Sequence, residues 1–247
     1  MKKYLIVFFF LALVTQVSFA QLSEGSKINA NTGVGLNSSK AGVFWNSATT
    51  APNMIGQFYL DSLWHEGNVK FTSVIPQFGG GSTDTLNGIL IRYNVLNDQL
   101  EVLADKSKND IRVIQGNNLK NFTVKLSEND VLKFDNAATF RSDKELGGFF
   151  ETLVNGRLSL MKHYRAKTIK PTYNAGFGTG EKNTIVSVVG EYYVVSNGKL
   201  EKINQSKKAL ISLMKDRESE VENYIKSSGL NFKSEDDLVR LFEFYNK

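Results

Sequence analysis

Two histidines are the residues of this chain best suited to acid–base catalysis or metal binding. His65 and His163 are far apart in the sequence, and neither stands beside a carboxylate or a second ligand at a spacing typical of metal sites. We therefore interpret both as structural or exposed histidines and predict no metal site and no cofactor. The chain has no cysteine, which excludes thiol catalysis, zinc–thiolate sites and iron–sulfur clusters.

Two glycine-rich stretches have the composition of phosphate-binding loops. The run Gly79–Gly81 is followed by a β-like segment and not by the start of a helix, so we interpret it as a hairpin loop. Residues 176–182 fit neither the spacing of a P-loop nor its context between a strand and a helix, and we interpret them as a surface loop. A serine nucleophile is not indicated either, because the chain has no Gly-x-Ser-x-Gly motif.

Acidic pairs offer the remaining catalytic possibility. Glycosidases need two carboxyl groups held about 5–9.5 Å apart, and folding could bring Asp98 close to Glu101, or Glu101 close to Glu151. A glycan-directed hydrolase with paired carboxylates is therefore the alternative function. No motif identifies such a pair, because acidic residues are common throughout the chain.

The segment Gly88–Leu103 must position several of these side chains. Its alternating apolar and polar residues predict a β-hairpin that turns at Asn97 and Asp98, since both residue types favour turns. Six polar or aromatic residues of this hairpin are predicted to hold its structure, and we call them the structural site: Arg92, Tyr93, Asn94, Asn97, Asp98 and Glu101.

Two registers of this hairpin keep the same faces. A four-residue loop, Val95–Asp98, places Arg92 opposite Glu101, whereas a two-residue loop places Asn94 opposite Glu101. We favour the first, because opposite charges that face each other across strands contribute roughly 0.2–1 kcal/mol. The Arg92–Glu101 pair is then interpreted as a cross-strand ion pair, and the alternative is a catalytic or ligand-binding couple.

Further β-like runs flank the hairpin. They are Val69–Ile75, Ile111–Gln115, Leu119–Leu126, Val131–Phe134, Gly148–Val154, Arg157–Lys167 and Ile185–Asn197. The Asn-Gly steps at residues 155–156 and 197–198 predict tight two-residue turns, because both residue types tolerate positive φ. The first of these turns places Glu151 opposite Leu160, which is a mismatch of a charged and an apolar side chain.

Three short helices are predicted between residues 206 and 247, because the spacing of apolar residues changes from two to three and four. Gly229 is typical of the C-terminal cap of the second helix, and Ser234–Asp237 approximates a capping box for the third. The apolar stripe of the third helix consists of Leu238, Leu241, Phe242 and Tyr245. We expect it to pack on the sheet or on the other helices. The predicted fold class is α+β: a mainly antiparallel, curled β-sheet of successive hairpins followed by three short C-terminal helices.

The first twenty residues have the layout of a secretory signal peptide. Lys2 and Lys3 precede the apolar run Tyr4–Val14, and Ser18–Ala20 forms a small-x-small cleavage site. The apolar run is shorter than the ~20 residues that a membrane-spanning helix needs. The predicted segments are a signal peptide at 1–20, a weakly ordered N-terminal arm at 21–54, and one β-rich domain at 55–247 with its helical segment at 206–247.

Charge and compartment limit the partners. The formal net charge is +5, and loss of Lys2 and Lys3 leaves 28 basic against 25 acidic residues, or +3. These charges are spread along the chain, which does not indicate nucleic-acid binding. Basic and aromatic residues alternate at residues 163–170, which we interpret as a solvated strand face with lysines that protect an edge. An anionic glycan or a nucleic acid is the alternative partner of that face, and export removes most nucleic-acid targets.

Several motifs together resemble an uncharacterised family of exported bacterial proteins. The motifs are Arg92-Tyr93-Asn94, Asn97-Asp98 with Glu101, Gly148-Phe149-Phe150-Glu151 with Leu153, Gly156, Leu158 and Leu160, Tyr192-Tyr193, Lys207-Lys208, Asp237-Leu238-Val239 and Tyr245-Asn246. The resemblance runs from about Gly56 to the end of the chain. It implies export, a single domain, and a β-rich body with a helical tail, and it carries no activity, ligand or catalytic residue.

We therefore predict an exported, non-enzymatic binding or structural protein of the bacterial cell envelope. The periplasm is the expected compartment, and a surface-displayed or released form is left open. The expected partner is an envelope protein, a glycan or an apolar ligand, and no segment is expected to span a membrane after cleavage. A curled sheet with a helix across its mouth could enclose a lipid-like ligand.

Overall fold

Alternating apolar and polar residues build the twelve strands found in the described part of the chain, and these strands join one sheet. The computed structural model describes residues 44–46, 53–76 and 82–247. The predicted signal peptide, the glycine run at 79–81 and most of the predicted N-terminal arm lie outside the described residues. The strands are β1 (Phe44–Asn46), β2 (Met54–Gly56), β3 (His65–Pro76), β4 (Ser82–Asn94), β5 (Gln99–Asp105), β6 (Asp110–Gln115), β7 (Leu119–Ser127), β8 (Asp130–Asn136), β9 (Phe149–Val154), β10 (Ser159–Ile169), β11 (Thr184–Ser196) and β12 (Lys199–Lys202).

The sheet is mixed and open. Its strands follow the order β1-β6-β5-β4-β3-β7-β8-β9-β10-β11-β12, and β2 lies beside β11. Neighbours along this path run antiparallel, whereas β2 runs parallel to β11. The predicted β-rich body followed by three C-terminal helices is confirmed. The prediction of a mainly antiparallel sheet holds only in part, because the parallel β2–β11 pair makes the sheet mixed.

The connection from β6 to β7 requires the sheet to curve. A single turn of 3-10 helix, Gly116–Asn118, joins these strands, yet four strand spacings separate them in the sheet. A flat sheet would place them ~19 Å apart, whereas four chain steps span at most ~14 Å. Asn136 holds the connection, because its Nδ2 donates to the carbonyl oxygens of Gly116 (3.0 Å) and Leu119 (2.9 Å).

The central hairpin has the favoured register. The four-residue loop Val95–Asp98 joins β4 to β5, and Arg92 lies opposite Glu101. Asp98 adopts a positive φ of 50°, a conformation that Asp tolerates in turns. The prediction of a β-hairpin at this point is confirmed.

Aromatic rings fill the core formed by the curved part of the sheet. Phe122 stacks on Phe134 with ring centroids 4.7 Å apart, and Phe149 meets Phe122 edge-on at 4.9 Å. Tyr93 packs against all three rings. Such aromatic pairs contribute about 0.5–1.5 kcal/mol beyond apolar burial, so this cluster stabilises the packing of β4, β7, β8 and β9.

The three C-terminal helices are α1 (Lys207–Leu213), α2 (Glu218–Ser228) and α3 (Glu235–Asn246). The predicted apolar stripe of α3 is buried and forms one cluster with Leu160 and Val194 of the sheet. On the opposite face of the sheet Met161 and Tyr193 pack in a separate cluster with Phe150. Both faces of the sheet are therefore covered where β10 begins and β11 ends.

The helix ends match the sequence prediction in part. Gly229 ends α2 with a positive φ of 59°, as predicted. Ser234 makes no side-chain cap to α3, so the predicted capping box is wrong. The carboxylate of Asp237 is engaged elsewhere, because it accepts the backbone N–H of Asn231 at 2.9 Å.

The hairpin of β9 and β10 differs from the prediction. Its connection is four residues long, 155–158, and a bulge shifts the register so that Glu151 lies opposite Lys162. The predicted two-residue turn is therefore wrong, and the charge mismatch that it implied does not exist. The side chain of Asn246 of α3 binds the backbone of this connection. Its Oδ1 accepts the N–H of Leu158 (3.1 Å), and its Nδ2 donates to the Leu158 carbonyl (3.0 Å).

The second Asn-Gly step forms the predicted turn. Asn197 and Gly198 both have positive φ, 51° and 74°, and Ser196 lies opposite Lys199. A two-residue connection with this conformation matches the twist of the flanking strands.

Candidate functional site

The predicted structural site divides between the two faces of the central hairpin. Arg92, Asn94 and Glu101 share one face, where they form a polar network. Tyr93 lies on the other face, within the aromatic core, and its hydroxyl reaches Asp98 in the turn. The structure therefore places the six residues in one hairpin, with one network on each face, and the turn residue Asn97 is bonded to the first network through Asn94.

Glu101 is the centre of the first network. It is only 3% exposed, and both of its carboxylate oxygens are hydrogen-bonded. Oε2 accepts from Nε and NH2 of Arg92 at 2.8 and 2.7 Å. Oε1 accepts from the hydroxyl of Tyr59 (3.0 Å) and from Nδ2 of Asn94 (3.5 Å). A buried carboxylate that is satisfied in this way is held in place by its partners.

Two aromatic rings close this network on the outside. The guanidinium carbon of Arg92 lies 4.3 Å from the ring centroid of Tyr59 and 4.3 Å from that of Trp64. Burial, followed by the negative charge of Glu101, raises the pKa of Tyr59. The arrangement stacks a cation between rings and leaves Glu101 without access for a bulky substrate.

The second network joins the hairpin turn to the start of β9. The hydroxyl of Tyr93 donates to Oδ1 of Asp98 at 2.9 Å, and the backbone N–H of Gly148 also donates to this carboxylate. Burial raises the pKa of Asp98. Asn97 is exposed and its N–H donates to the side chain of Asn94 at 3.1 Å. These contacts fix the turn, and we assign a structural role to all of them.

Glu151 belongs to a different network on the side of the helices. It is 5% exposed and accepts the hydroxyl of Tyr164 at 2.6 Å, and burial raises its pKa. Nearby, Glu235 of α3 binds Lys162 (2.6 Å) and the hydroxyl of Tyr192 (2.8 Å). Glu101 and Glu151 share no hydrogen-bond partner among the described residues, so no paired-carboxylate site is formed by these contacts.

The histidines need one correction. The prediction that His65 has no carboxylate partner is wrong, because Oδ2 of Asp61, four residues earlier, lies 2.8 Å from its Nε2. His163 is buried and stacks on Phe150 with centroids 4.4 Å apart, and burial lowers its pKa. Within the described ranges no three His, Asp or Glu side chains are grouped so as to hold a metal ion.

An open apolar surface lies at the far end of β10 and β11. β9 pairs with β10 only as far as His163, and the two strands continue beyond it as a hairpin. We call residues 165–189 the arm. Its opposite face is covered, because Val186 is buried and Val188 packs against the aromatic core.

One row of side chains on the arm is open to solvent. Ile169 is opposite Ile185, and Ile55 of β2 is the neighbour of Ile185 on the other side. Together with Val189, four residues further along the same face of β11 and beyond Ser187, these residues form the surface that we call the apolar face. Their exposed fractions are 52% for Ile169, 36% for Ile185, 44% for Ile55 and 38% for Val189.

The tip of the arm is also apolar. The hairpin continues past β10 and β11, because the N–H groups of Thr172 and Asn174 donate to the carbonyl oxygens of Glu181 and Thr179. Phe177 stands at the turn and is 81% exposed. This is a large exposure for an aromatic side chain. It adds to the exposed apolar surface of the arm, and apolar surface that exceeds scattered single residues marks interaction sites.

Sequence reasoning missed this surface. The sequence pattern predicts a solvated strand face at residues 163–170 and a surface loop at 176–182, and both stretches are largely exposed. It did not identify the apolar face, because apolar residues occupy both faces of β11 between residues 185 and 189. The only signal was Phe177 within a run of glycines.

No helix in the described part of the chain has the length and hydropathy needed to cross a bilayer. No protein-family model, no curated protein and no solved structure matches the chain. The function is therefore argued from the geometry of the networks and of the arm.

Proposed function

We propose that this protein is a non-enzymatic binding protein exported to the bacterial cell envelope, and that it binds its partner through the arm. The observation that carries the proposal is the contrast in exposure. The apolar face and Phe177 are open to solvent at one end of a long hairpin, whereas the interior carboxylates of Glu101 and Glu151 are buried and hydrogen-bonded.

The burial of the acidic residues argues against the alternative hydrolase. A glycosidase needs both carboxyl groups in a cleft that admits a sugar. Glu101 is enclosed by Arg92, Tyr59 and Trp64, and Glu151 is covered and bonded by Tyr164. A raised pKa, as at Glu151, suits a general acid, but the group has to reach its substrate.

The filled interior argues against an enclosed ligand. Phe122, Phe134 and Phe149 have no exposed surface and stack on one another inside the curved sheet. An apolar molecule would have to displace these rings. Binding at the outside of the fold, where apolar side chains remain exposed, requires no such rearrangement.

Site-specific photo-crosslinking in the producing cells tests the proposed function. A photoreactive residue at position 177 should form a crosslinked product, either with a protein or with a lipid. The matched control is position 131, since Val131 is also an exposed apolar side chain (53%) but lies on β8 away from the arm. Absence of any product at 177, or equal products at both positions, would contradict the proposal.

A further inference from the structure

We propose that the partner of the arm is the surface of an anionic lipid bilayer. This inference rests on the proposed binding function and specifies its partner. It is carried by the combination of an exposed apolar tip and face, an excess of lysines around them, and a hairpin backbone that is internally hydrogen-bonded at the tip.

The charge of the arm complements an anionic surface. Residues 165–189 contain four basic side chains, Arg165, Lys167, Lys170 and Lys182, and one acidic side chain, Glu181. Arg165 is paired with Glu191 just beyond the arm (3.4 Å), so the excess positive charge comes from the three lysines. Lys167 lies on the same face of β10 as Ile169, two residues away. Basic residues beside apolar ones are typical of surfaces that approach anionic headgroups while the apolar groups enter the acyl boundary.

The single acidic residue does not oppose this charge at the tip. Oε1 of Glu181 accepts the backbone N–H of Asn183 (2.7 Å) and also its side-chain Nδ2 (2.9 Å). The carboxylate of Glu181 is therefore held by local amide donors. Lys182 lies over the ring of Tyr173 at 4.5 Å, which keeps a cation beside an aromatic ring in the manner of residues at a membrane interface.

The backbone of the tip suits a low-dielectric environment. Asn174 accepts the N–H groups of Gly176 (2.9 Å) and Phe177 (3.4 Å) through its Oδ1, and its own N–H donates to the carbonyl of Thr179 (2.8 Å). A backbone N–H group without a partner is costly in lipid. These amides are satisfied before any contact with a bilayer, so Phe177 can enter the interface without exposing them.

Lipid is favoured over a protein partner by the distribution of the apolar groups. A protein interface concentrates its apolar side chains in one central patch with a polar rim. Here the apolar groups occupy both a flat face and a projecting tip, and Lys170 and Lys182 stand along the chain between these two places. A deformable bilayer can contact both at once.

Vesicle sedimentation tests the inference. The protein purified from exporting cells is mixed with vesicles of equal parts phosphatidylglycerol and phosphatidylcholine, and with vesicles of phosphatidylcholine alone. We expect binding to the anionic vesicles that weakens in high salt. The triple variant K167Q/K170Q/K182Q should bind about 100-fold more weakly, since each lysine near an anionic surface contributes about fivefold. Phe177→Ser should weaken binding about tenfold.

The control is a second group of three exposed lysines. Lys207, Lys208 and Lys215 lie on or just after α1, and the variant K207Q/K208Q/K215Q should bind like the unaltered protein. All variants share the same N-terminal sequence and are processed in the same way, so the N-terminus cannot produce a difference between them. An unchanged thermal unfolding midpoint shows that each variant is folded.

The outcomes separate the lipid inference from the proposed function. Loss of binding in the arm variants alone supports both. Vesicle binding that the arm variants leave unchanged, or the absence of vesicle binding together with a protein crosslinked at position 177, overturns the lipid inference and leaves the binding function standing. Neither vesicle binding nor any crosslink at 177 overturns both.

Discussion

The two ends of the β10–β11 hairpin have the same backbone structure and opposite surroundings. At the inner end Leu160 and Val194 pack against the helices, while Met161 and Tyr193 pack on the opposite face of the sheet. At the outer end, which is the arm, the same alternation of side chains leaves the apolar face exposed to solvent. The burial of a side chain in this hairpin is therefore determined by the elements that pack over the sheet and not by strand pairing. We expect substitutions at the inner end to affect folding and those at the outer end to affect binding.

The largest effect on folding is expected from the buried ion pair. Arg92→Met should lower the free energy of unfolding by about 3–5 kcal/mol, because it leaves the carboxylate of Glu101 buried and without its cation. The control is Arg165→Met on the arm, since the contact of Arg165 with Glu191 (3.4 Å) is exposed and such pairs contribute about 0–1 kcal/mol. Urea unfolding measures both. Equal losses of stability in the two variants would mean that water reaches the carboxylate of Glu101.

A matched pair within β10 tests the comparison directly. Leu160→Ala should cost about 2–5 kcal/mol of stability, because Leu160 is fully buried against the helices. Ile169→Ala, nine residues along the same strand and on its opposite face, should change stability by no more than about 0.5 kcal/mol. Chemical denaturation of the two variants checks this. A large loss for Ile169→Ala would show that the apolar face is covered in solution.

Asn246 should have an intermediate effect. Asn246→Ala removes both hydrogen bonds to Leu158 and should destabilise the protein by about 1–3 kcal/mol, since it leaves backbone groups of a partly buried connection without partners. Asn246→Asp keeps the accepting oxygen and should lose less. Unfolding curves that rank the two variants in the reverse order would contradict this role.

The smallest effect is expected from Glu151. Burial raises its pKa in the folded protein, so folding favours its protonated form. Its contribution to stability is therefore complete below its ordinary pKa and is lost as the pH rises through the raised value. Glu151→Gln keeps an acceptor for Tyr164 and should match the unaltered protein at acid pH but be more stable by up to about 1 kcal/mol at neutral pH.

Urea unfolding at the two pH values measures this difference. Glu128→Gln is the control, because Glu128 is exposed in the turn between β7 and β8, and it should change stability little at either pH. If Glu151→Gln is less stable than the unaltered protein at neutral pH, the carboxylate of Glu151 is stabilised by its neighbours and not penalised by burial.

The sequence predicted correctly those features that depend only on residues close together in the chain. The Arg92–Glu101 register followed from charge pairing across two adjacent strands, and the Asn197-Gly198 turn followed from residues that tolerate positive φ. The turn at residues 155–158 could not be predicted in the same way. Its length depends on Asn246, which is 88 residues away from Leu158, and no local pattern contains that contact.

The exposure of the apolar face could not be predicted from the sequence for a related reason. Alternation identified which residues of β11 share a face, but both faces carry apolar residues between Ile185 and Val189. Whether a face is core or surface depends on which distant segment packs over it. Here the aromatic core covers Val188, while the neighbour of Ile185 is the exposed Ile55 of β2.

Hydrogen–deuterium exchange with and without anionic vesicles tests the central claim most directly. The amides of β10 from Ser159 to His163 should be protected in both conditions, because both faces of the hairpin are covered there. Vesicles of equal parts phosphatidylglycerol and phosphatidylcholine should add protection within the arm, residues 165–189, and in β2, whose Ile55 belongs to the apolar face, and nowhere else. Added protection at another part of the chain, or none in the arm, would contradict the account.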